Sequence, residues 1–220
     1  NLLDHVVDEE VVAVHSGSLA LTMRPGAGLL RDLLRRAKRT ATVSYDPNCR
    51  PALMGDPAEV LPDVQELLGI ADLVKVSAED LQWLLPGYHI ENVLDEWLSR
   101  GPALVTVTLG EQGVFAGTAN GLRVRRPGVP VRVRDTVGAG DAFSAALLAG
   151  LHRRDLLGAR ARSALRAIAR ETLVALLDEA TLAAALTCTR RGADPPTTAD
   201  LEHAASGEDT SAELGCSAPS

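Results

Sequence analysis

Short apolar runs alternate along the chain with longer segments in which apolar residues recur every three or four positions. The runs are rich in β-branched residues and stop at glycine, proline or aspartate, which is typical of buried strands. The longer segments have one apolar face, as expected of helices that pack on a sheet. The predicted strands cover residues 11–15, 42–45, 73–76 and 103–108. Their alternation with helices predicts parallel pairing through right-handed crossovers, and thus an α/β sheet covered by helices on both faces.

Proline, serine and glycine mark the boundaries of the predicted helices. Pro25 and Pro57 suit first helical turns, Ser77 can cap a short helix, and Gly101 follows the end of another. The later helices are predicted at residues 142–151, 159–168 and 172–189, and Pro195 with Pro196 is predicted to end the last long one.

The segment between residues 114 and 133 has a different pattern. Short apolar runs are punctuated there by Gly117, Gly121 and Gly128, which predicts a hairpin at the sheet edge, and residues 131–133 have the composition of a further strand. From residue 206 the sequence is small, polar and aperiodic. We therefore expect a folded unit at residues 1–205 and a disordered tail at residues 206–220.

Composition and charge exclude several classes of protein. The chain has 220 residues, 46% of them apolar, and a formal net charge of −7, which disfavours nucleic acid as a partner. The arginines between residues 123 and 134 fit a solvated edge strand. No apolar run reaches the roughly 20 residues of a membrane span, and Cys49, Cys188 and Cys216 match no zinc or disulfide pattern. We expect a cytoplasmic protein without membrane contact.

The segment Asp135-Thr136-Val137-Gly138-Ala139-Gly140-Asp141 stands directly before an alanine-rich helix. Its two glycines permit a sharp turn, so that amides at the helix start can converge on an anion such as phosphate. Asp141 would repel that phosphate unless it had a separate task. Accepting the proton of an attacking hydroxyl group is such a task.

Spacing separates the other interpretations of this segment. A Walker A loop needs lysine and serine or threonine after its last glycine, but Asp141 and Ala142 follow Gly140. A dinucleotide fingerprint needs a small residue where Phe143 stands. An ordinary glycine-rich helix start, with Asp141 serving only the helix dipole, stays open on these residues alone.

The run DTVGAGDAF resembles a signature of the ribokinase-like (PfkB-type) sugar kinases, with Val137 in place of the commoner threonine. Three further segments resemble the family in the same order: Asp46-Pro47-Asn48-Cys49-Arg50, Lys75-Val76-Ser77-Ala78-Glu79-Asp80 and Thr108-Leu109-Gly110-Glu111-Gln112-Gly113. The resemblance covers residues 11–200 and is strongest to bacterial fructokinases. It implies a ribokinase-like three-layer α/β/α sandwich and transfer of the ATP γ-phosphate to a sugar hydroxyl. Fructose is the first candidate for the sugar, and 2-keto-3-deoxygluconate and ribose follow.

The resemblance also implies a role for each of several residues. Asp141 would be the catalytic base, and the amides of Gly138, Ala139 and Gly140 would hold the transferred phosphoryl group. The other positions are expected to contact the nucleotide (Ser77, Thr108, Gly110, Gly113 and Thr136), substrate or phosphate (Asn48 and Arg50), Mg²⁺ through water (Asp80) and a monovalent cation such as K⁺ (Asp135). Glu79 is an alternative to Asp80, and helix capping or a loop ion pair would account for Asp80 and Arg50 without any ligand.

The chain departs from the family at its beginning. The Gly-Gly sugar-binding segment and the small β-sheet lid of the family do not appear before residue 11. We therefore expect an N-terminally truncated fold without the lid, an exposed sheet edge, and either a fructokinase-like enzyme or an inactive nucleotide-binding remnant or interaction module. A homodimer is expected only of the complete enzyme.

Overall fold

The computed structural model describes residues 10–206, and a six-stranded sheet forms its centre. The strands lie side by side in chain order: β1 (Ala13–Gly17), β2 (Thr42–Asp46), β3 (Leu73–Ser77), β4 (Leu104–Thr108), β5 (Val114–Thr118) and β6 (Arg123–Arg126). β1 to β4 are parallel, and β5 and β6 add an antiparallel hairpin. The predicted mainly parallel sheet and its edge hairpin are confirmed.

Nine α-helices surround the sheet within residues 10–206. They are α1 (Gly26–Ala37), α2 (Pro51–Met54), α3 (Pro57–Ile70), α4 (Ala78–Leu84), α5 (Ile90–Ser99), α6 (Ala139–His152), α7 (Arg162–Arg166), α8 (Arg170–Cys188) and α9 (Thr198–Ser206). Because β1 to β4 follow one another in chain order, right-handed crossovers place all their connecting helices on one face. The helices after the hairpin are left to cover the other face.

Alternation along the strands divides the apolar residues between two cores. Val43, Tyr45 and Val74 pack with residues of α1, α3, α4 and α5, in a cluster that includes the fully buried Trp97. Leu73, Leu104 and Ala116 point to the opposite face and pack against α6, α7 and α8. Because successive apolar residues of a strand point to opposite faces of the sheet, each face carries its own core and its own layer of helices, which gives the three-layer α/β/α arrangement.

Two predictions about the second half of the chain were wrong. Residues 131–133 form no strand: Pro130 lacks an amide proton, and the amides of Arg134 and Asp135 donate to the carbonyl of Cys188 instead of a strand. The two prolines at 195 and 196 do not end the last long helix, because α8 ends before them and α9 begins two residues after them. Ser206, the first residue of the predicted tail, is the last residue of α9, and the rest of that tail lies outside the described residues.

The two ends of the parallel strands are distinct surfaces. We call the end at which β1 to β4 finish the carboxyl end of the sheet, and the end at which they begin the amino end. Ligands of open α/β sheets bind outside the carboxyl end. Between residues 10 and 206, none of the helices has both the length and the apolar character of a membrane span.

Candidate active site

The first turn of α6 lies at the carboxyl end of the sheet. A Cβ atom placed on Gly140 would stand 2.7 Å from Nζ of Lys75, the central residue of β3. β2 and β4 end nearby at Asp46 and Thr108. The fold thus gathers residues of the four motifs, which are distant in sequence, at one surface.

The backbone amides that begin α6 are only partly engaged. Gly138 adopts φ +81° as the residue before the helix, a conformation that favours glycine. The amide of Ala139 donates to the carbonyl of Thr136 at 3.2 Å. The amides of Gly138, Gly140 and Asp141 have no acceptor within residues 10–206. Of the three amides expected to bind phosphate, two are therefore available, and that of Asp141 joins them.

Asp141 lies in the first turn of α6 with an exposed side chain. Its carboxylate makes no hydrogen bond or ion pair with any other residue in the described range 10–206. A groove of about 410 Å³ between α6, α8 and α9 is lined by its neighbour Ala142, whereas Asp141 is not among the residues that line this groove. The carboxylate is thus accessible and adjacent to free amides, two properties that suit a general base.

A buried ion pair lies beneath this turn. Nζ of Lys75 is 2.9 Å from Oδ2 of Asp46, and the two side chains are 8% and 3% exposed. Burial raises the pKa of Asp46, and this effect outweighs the lowering by Lys75. His15 on β1 hydrogen-bonds to Ser44 through Nδ1 at 3.0 Å, and desolvation lowers its pKa against the opposing effects of Asp46 and Asp141. Asp46, Lys75 and His15 therefore interact electrostatically with one another near the start of α6.

The loop after β2 is fixed by its own polar groups. The amide of Asn48 donates to Oδ1 of Asp46 at 3.1 Å, and Asn48 adopts φ +39°. Nη1 of Arg50 donates to Oδ1 of Asn48 at 2.7 Å and to the carbonyl of Cys49 at 2.9 Å. The guanidinium of Arg50 therefore braces the loop in this structure, while its exposed position leaves room for a ligand.

Asp80 connects that loop to α4. Ser77 caps α4, since its hydroxyl group accepts the amide of Asp80 at 3.0 Å, as the sequence predicted. Oδ1 of Asp80 in turn accepts the amide of Cys49 at 2.9 Å. Glu79, the alternative acid, is exposed. Burial and Asp80 raise the pKa of the Cys49 thiol to about 12, which makes this cysteine a poor nucleophile.

The turn between β4 and β5 separates its two glycines by role. Gly110 has φ +58° and is exposed, with open space where a side chain would stand. Gly113 has φ +93°, and a Cβ atom there would collide with the carbonyl oxygen of Arg126 at 2.1 Å. Gly113 is thus required by the crossing of two chain segments. Thr108 pairs with Ser77 across β3 and β4, so both hydroxyl-bearing residues stand side by side at the carboxyl end.

Asp135 holds the glycine turn to the end of α8. Oδ1 accepts the amide of Val137 at 3.0 Å and Oδ2 accepts the amide of Gly192 at 2.9 Å, and these bonds lower its pKa. The exposed Thr136 contributes its carbonyl to the same turn. No group of three or more histidine, cysteine or acidic side chains within residues 10–206 is arranged to hold a metal ion.

Sequence reasoning assigned no role to Lys75, Asp46 or His15, although Lys75 and Asp46 stand in two of the motifs that resemble the family. Lys75 did offer a signal, since it is the one charged residue in the apolar run Leu73-Val74-Lys75-Val76. A buried lysine needs a partner, but only the pairing of strands shows that the partner is Asp46.

Comparisons with known proteins agree with this geometry. The sequence profile of the pfkB family carbohydrate kinases matches residues 4–200. A fructokinase of Rhizobium leguminosarum bv. trifolii is 35% identical over 153 residues, which are 69% of this chain and 46% of that protein. A 2-dehydro-3-deoxygluconokinase of Bacillus subtilis is 34% identical over 113 residues, 50% of this chain and 34% of that protein.

Solved structures show the same architecture. A fructokinase from Vibrio cholerae O395, determined with fructose, ADP and calcium bound, matches with a TM-score of 0.71 and 31% identity over 86% of this chain and 59% of its own. A fructokinase from Xylella fastidiosa with bound ATP matches with a TM-score of 0.81 and 26% identity over 91% and 63%. The chain spans about half the length of the curated relatives it matches. The ribokinase-like fold expected from the motifs is confirmed.

Proposed function

The chain belongs to the pfkB family of carbohydrate kinases, and we propose that it supplies the catalytic and nucleotide-binding part of an ATP-dependent sugar kinase. The observation that carries the proposal is the accessible, unpartnered carboxylate of Asp141 beside the amides of Gly138 and Gly140, which have no acceptor within residues 10–206. Phosphoryl transfer depends mainly on alignment and on stabilisation of charge. A carboxylate and an anion-binding turn at one helix start provide both.

In the proposed reaction Asp141 accepts the proton of the sugar hydroxyl group. The hydroxyl oxygen forms a bond to the γ-phosphorus, the bond from that phosphorus to the β,γ-bridging oxygen breaks, and ADP leaves. The amides of Gly138 and Gly140 donate to the oxygens of the transferred group, where negative charge is concentrated. The amide of Ala139, which already has an acceptor, would need a bifurcated bond to take part.

The remaining nucleotide contacts are proposed from position. Ser77 and Thr108 stand together at the carboxyl end of β3 and β4, and Gly110 leaves open space beside them. Thr136 and Gly113 stay proposed nucleotide contacts. The amide and the carbonyl of Gly113 already bond to Gly110 and Leu109, so its contact with the nucleotide would be one of close packing. Asp80 is proposed to bind Mg²⁺ through a water molecule. The ion would neutralise phosphate charge.

Asp135 stays the proposed ligand of a monovalent cation such as K⁺. It would have to bind the cation while both of its oxygens accept backbone amides. Titration of ATP binding with KCl against tetramethylammonium chloride at constant ionic strength tests this role. Equal affinities in the two salts would remove it.

Fructose is the proposed sugar, with 2-keto-3-deoxygluconate and ribose as alternatives. The support is the Asp46-Pro47-Asn48 segment together with the relatives of the chain, which include several fructokinases and a 2-dehydro-3-deoxygluconokinase. Asn48 and Arg50 are the proposed substrate or phosphate contacts. Arg50 would exchange the bonds to its own loop for an anionic group, since its planar donors match oxyanions.

Substitution of the proposed base tests the reaction. ADP formation is measured with ATP and each of the three sugars, in the 220-residue chain and in the longest protein that contains it. Asp141→Asn is expected to lower the rate by roughly 10²-fold to 10⁴-fold while ATP binding persists. Asp178→Asn, at an exposed position of α8, is the matched control and keeps the rate. Sugar-dependent turnover that survives in Asp141→Asn would contradict the proposal.

A nucleotide-binding module without turnover is the second candidate function. It is favoured by the chain spanning only about half of its curated relatives. In this case the 220-residue chain binds ATP and releases no ADP with any of the sugars. Turnover by this chain alone at an ordinary enzymatic rate would exclude the module. Homodimer formation and a cytoplasmic location stay predictions for the complete protein.

A further inference from the structure

We propose that Asp46 and Lys75 form a positioning pair for the phosphate site, in which Asp46 fixes the Lys75 ammonium beneath the first turn of α6 and so adds positive charge behind the phosphate-binding amides. This inference rests on the proposed function, because it concerns the anion that this turn would receive. Asp46 is a positioning residue, and Lys75 acts on the anion through its charge.

The position of the ammonium group is defined by contacts from two sides. Oδ2 of Asp46 lies 2.9 Å from Nζ, and a Cβ atom on Gly140 would lie 2.7 Å from the same nitrogen. No side chain at position 140 could therefore coexist with Lys75 in its present place. Gly140 has no positive φ that would require glycine, so the approach of Lys75 is the reason that the structure gives for it.

The location is electrostatically unusual for a lysine. The start of a helix carries a partial positive charge, and a cation placed there is repelled unless an anion lies nearby. Asp46 is such an anion, but burial disfavours its charged form. A bound phosphate would supply the further negative charge, because it would attract both the partial positive charge of the helix start and the ammonium of Lys75.

The acidic groups around the site make this charge necessary. Asp46 interacts electrostatically with Asp80, and His15 interacts with both Asp46 and Asp141. Asp46, Asp80 and Asp141 thus belong to one electrostatic cluster, and desolvation lowers the pKa of His15, which favours its neutral form. Lys75 is paired directly with one of these carboxylates, that of Asp46.

A purely structural ion pair predicts different behaviour. Such a pair would change the stability of the fold and leave the ranking of ligands as it is. A pair that serves phosphate changes the affinity for ATP and leaves the affinity for adenosine, which has no phosphate. The ratio of the two affinities therefore separates the roles.

Binding measurements with matched variants test this ratio. Lys75→Met is expected to weaken ATP roughly tenfold to hundredfold, the range for a lost interaction with a charged group, and to leave adenosine unchanged. Lys38→Met is the control, because Lys38 is the other lysine of the chain and pairs with Asp72 at the amino end. Equal ATP affinity in wild type and Lys75→Met would overturn the inference and leave the proposed kinase function standing.

The NMR signals of the lysine side chains test the inference in the wild-type protein, without any variant that might fail to fold. With ¹⁵N-lysine label the chain gives two side-chain Nζ signals, one from Lys75 and one from Lys38. ATP, and separately inorganic tripolyphosphate, is expected to shift the Lys75 signal and leave that of Lys38. A Lys75 signal that stays in place at saturating ATP would overturn the inference alone. A chain that binds neither ATP nor ADP would overturn it together with the proposed function.

The part of Asp46 is tested in the same spectra. In Asp46→Asn the ammonium loses its fixed acceptor, so its signal is expected to broaden through faster proton exchange with water, while Lys38 keeps its line width. An unchanged Lys75 signal in Asp46→Asn would show that Asp46 does not position it.

Discussion

Two buried aspartates, one at each end of the parallel strands, have opposite surroundings. The carboxylate of Asp72 at the amino end accepts hydrogen bonds from the amide of Val43 at 3.0 Å and from Nε of Arg162 at 2.8 Å. It also lies 3.7 Å from Nζ of Lys38. Asp46 at the carboxyl end has one cation, Lys75, and one amide, that of Asn48, among the described residues. Both carboxylates are nearly inaccessible, with side chains 4% and 3% exposed.

The difference shows how this fold separates stability from function. Arg162 also donates to the carbonyls of Lys38 and Ala41, so the amino end is a closed network that ties α7 to the sheet. At the carboxyl end the amides of Gly138 and Gly140 have no acceptor within residues 10–206. At the amino end the polar groups are thus bonded to one another. At the carboxyl end two backbone amides stay available to a ligand.

The largest expected effect is on stability at the amino end. Asp72→Asn removes the anion of the partly buried Arg162, which is 28% exposed, and weakens the bond from the amide of Val43. It is expected to cost about 3–5 kcal/mol of unfolding free energy, since each hydrogen bond to a charged group is worth about 1.5–3 kcal/mol. Asp46→Asn also deprives the buried Lys75 of its anion, but it removes a carboxylate whose charged form burial already disfavours, so it should cost less, about 1–3 kcal/mol. Urea unfolding at pH 7 measures both. Equal losses, or the reverse order, would break the distinction between the two ends.

The two glycines of the α6 turn should separate stability from affinity. Gly138→Ala introduces a side chain at φ +81° and 3.0 Å from Cβ of Ala193, and is expected to cost about 1–2 kcal/mol of stability. Gly140→Ala instead displaces the flexible end of Lys75, so stability should change by less than about 1 kcal/mol.

ATP affinity distinguishes these variants further. Gly140→Ala is expected to weaken ATP roughly tenfold, since a displaced ammonium loses about 1.4 kcal/mol of interaction with phosphate. Calorimetric titration of both variants with ATP and adenosine is the measurement. Full ATP affinity in Gly140→Ala would show that the ammonium can occupy another place.

The sequence predicted the sheet better than its connections. Strands such as Thr42–Asp46 and Leu104–Thr108 have local β-branched patterns, and the cap at Ser77 depends on a residue three positions away. The strand wrongly predicted at residues 131–133 does not form, because the amides that follow it donate to the carbonyl of Cys188, which is remote in sequence. Local chemistry was readable, and partners brought by the tertiary fold were not.

The candidate site divides in the same way. Asp141 and the glycines before it stood in one motif and were found together. Lys75 lies in another motif and approaches Gly140 only because α6 packs over β3. The sequence interpretation of Gly113 likewise could not see the segment at Arg126 that crosses it.

Acidification should reveal the charge of Asp46. Its pKa in the folded state is raised above 3.8, mainly by burial. Folding therefore takes up a proton in the window above 3.8, and this residue lowers stability as the pH rises through its folded pKa. The effect is about 1.4 kcal/mol for each pH unit between the folded and unfolded pKa values.

Asp46→Asn cannot make this transition. The stability advantage of wild type over Asp46→Asn is thus expected to be larger near pH 4 than at pH 7. Urea unfolding of the two proteins at both pH values gives the difference, in which the other titrating groups cancel. An advantage that grows with pH would mean that Lys75 outweighs burial.

The smallest effect is expected at Lys38. Its Nζ atom lies 3.7 Å from Asp72, its side chain is 30% exposed, and Arg162 already covers the same carboxylate at 2.8 Å. Lys38→Met should therefore change the unfolding free energy by less than about 1 kcal/mol, the range of exposed pairs, and leave ATP affinity unaltered. A loss as large as that of Asp72→Asn, measured in the same urea series, would show that the amino end depends on its lysine as the carboxyl end is proposed to depend on Lys75.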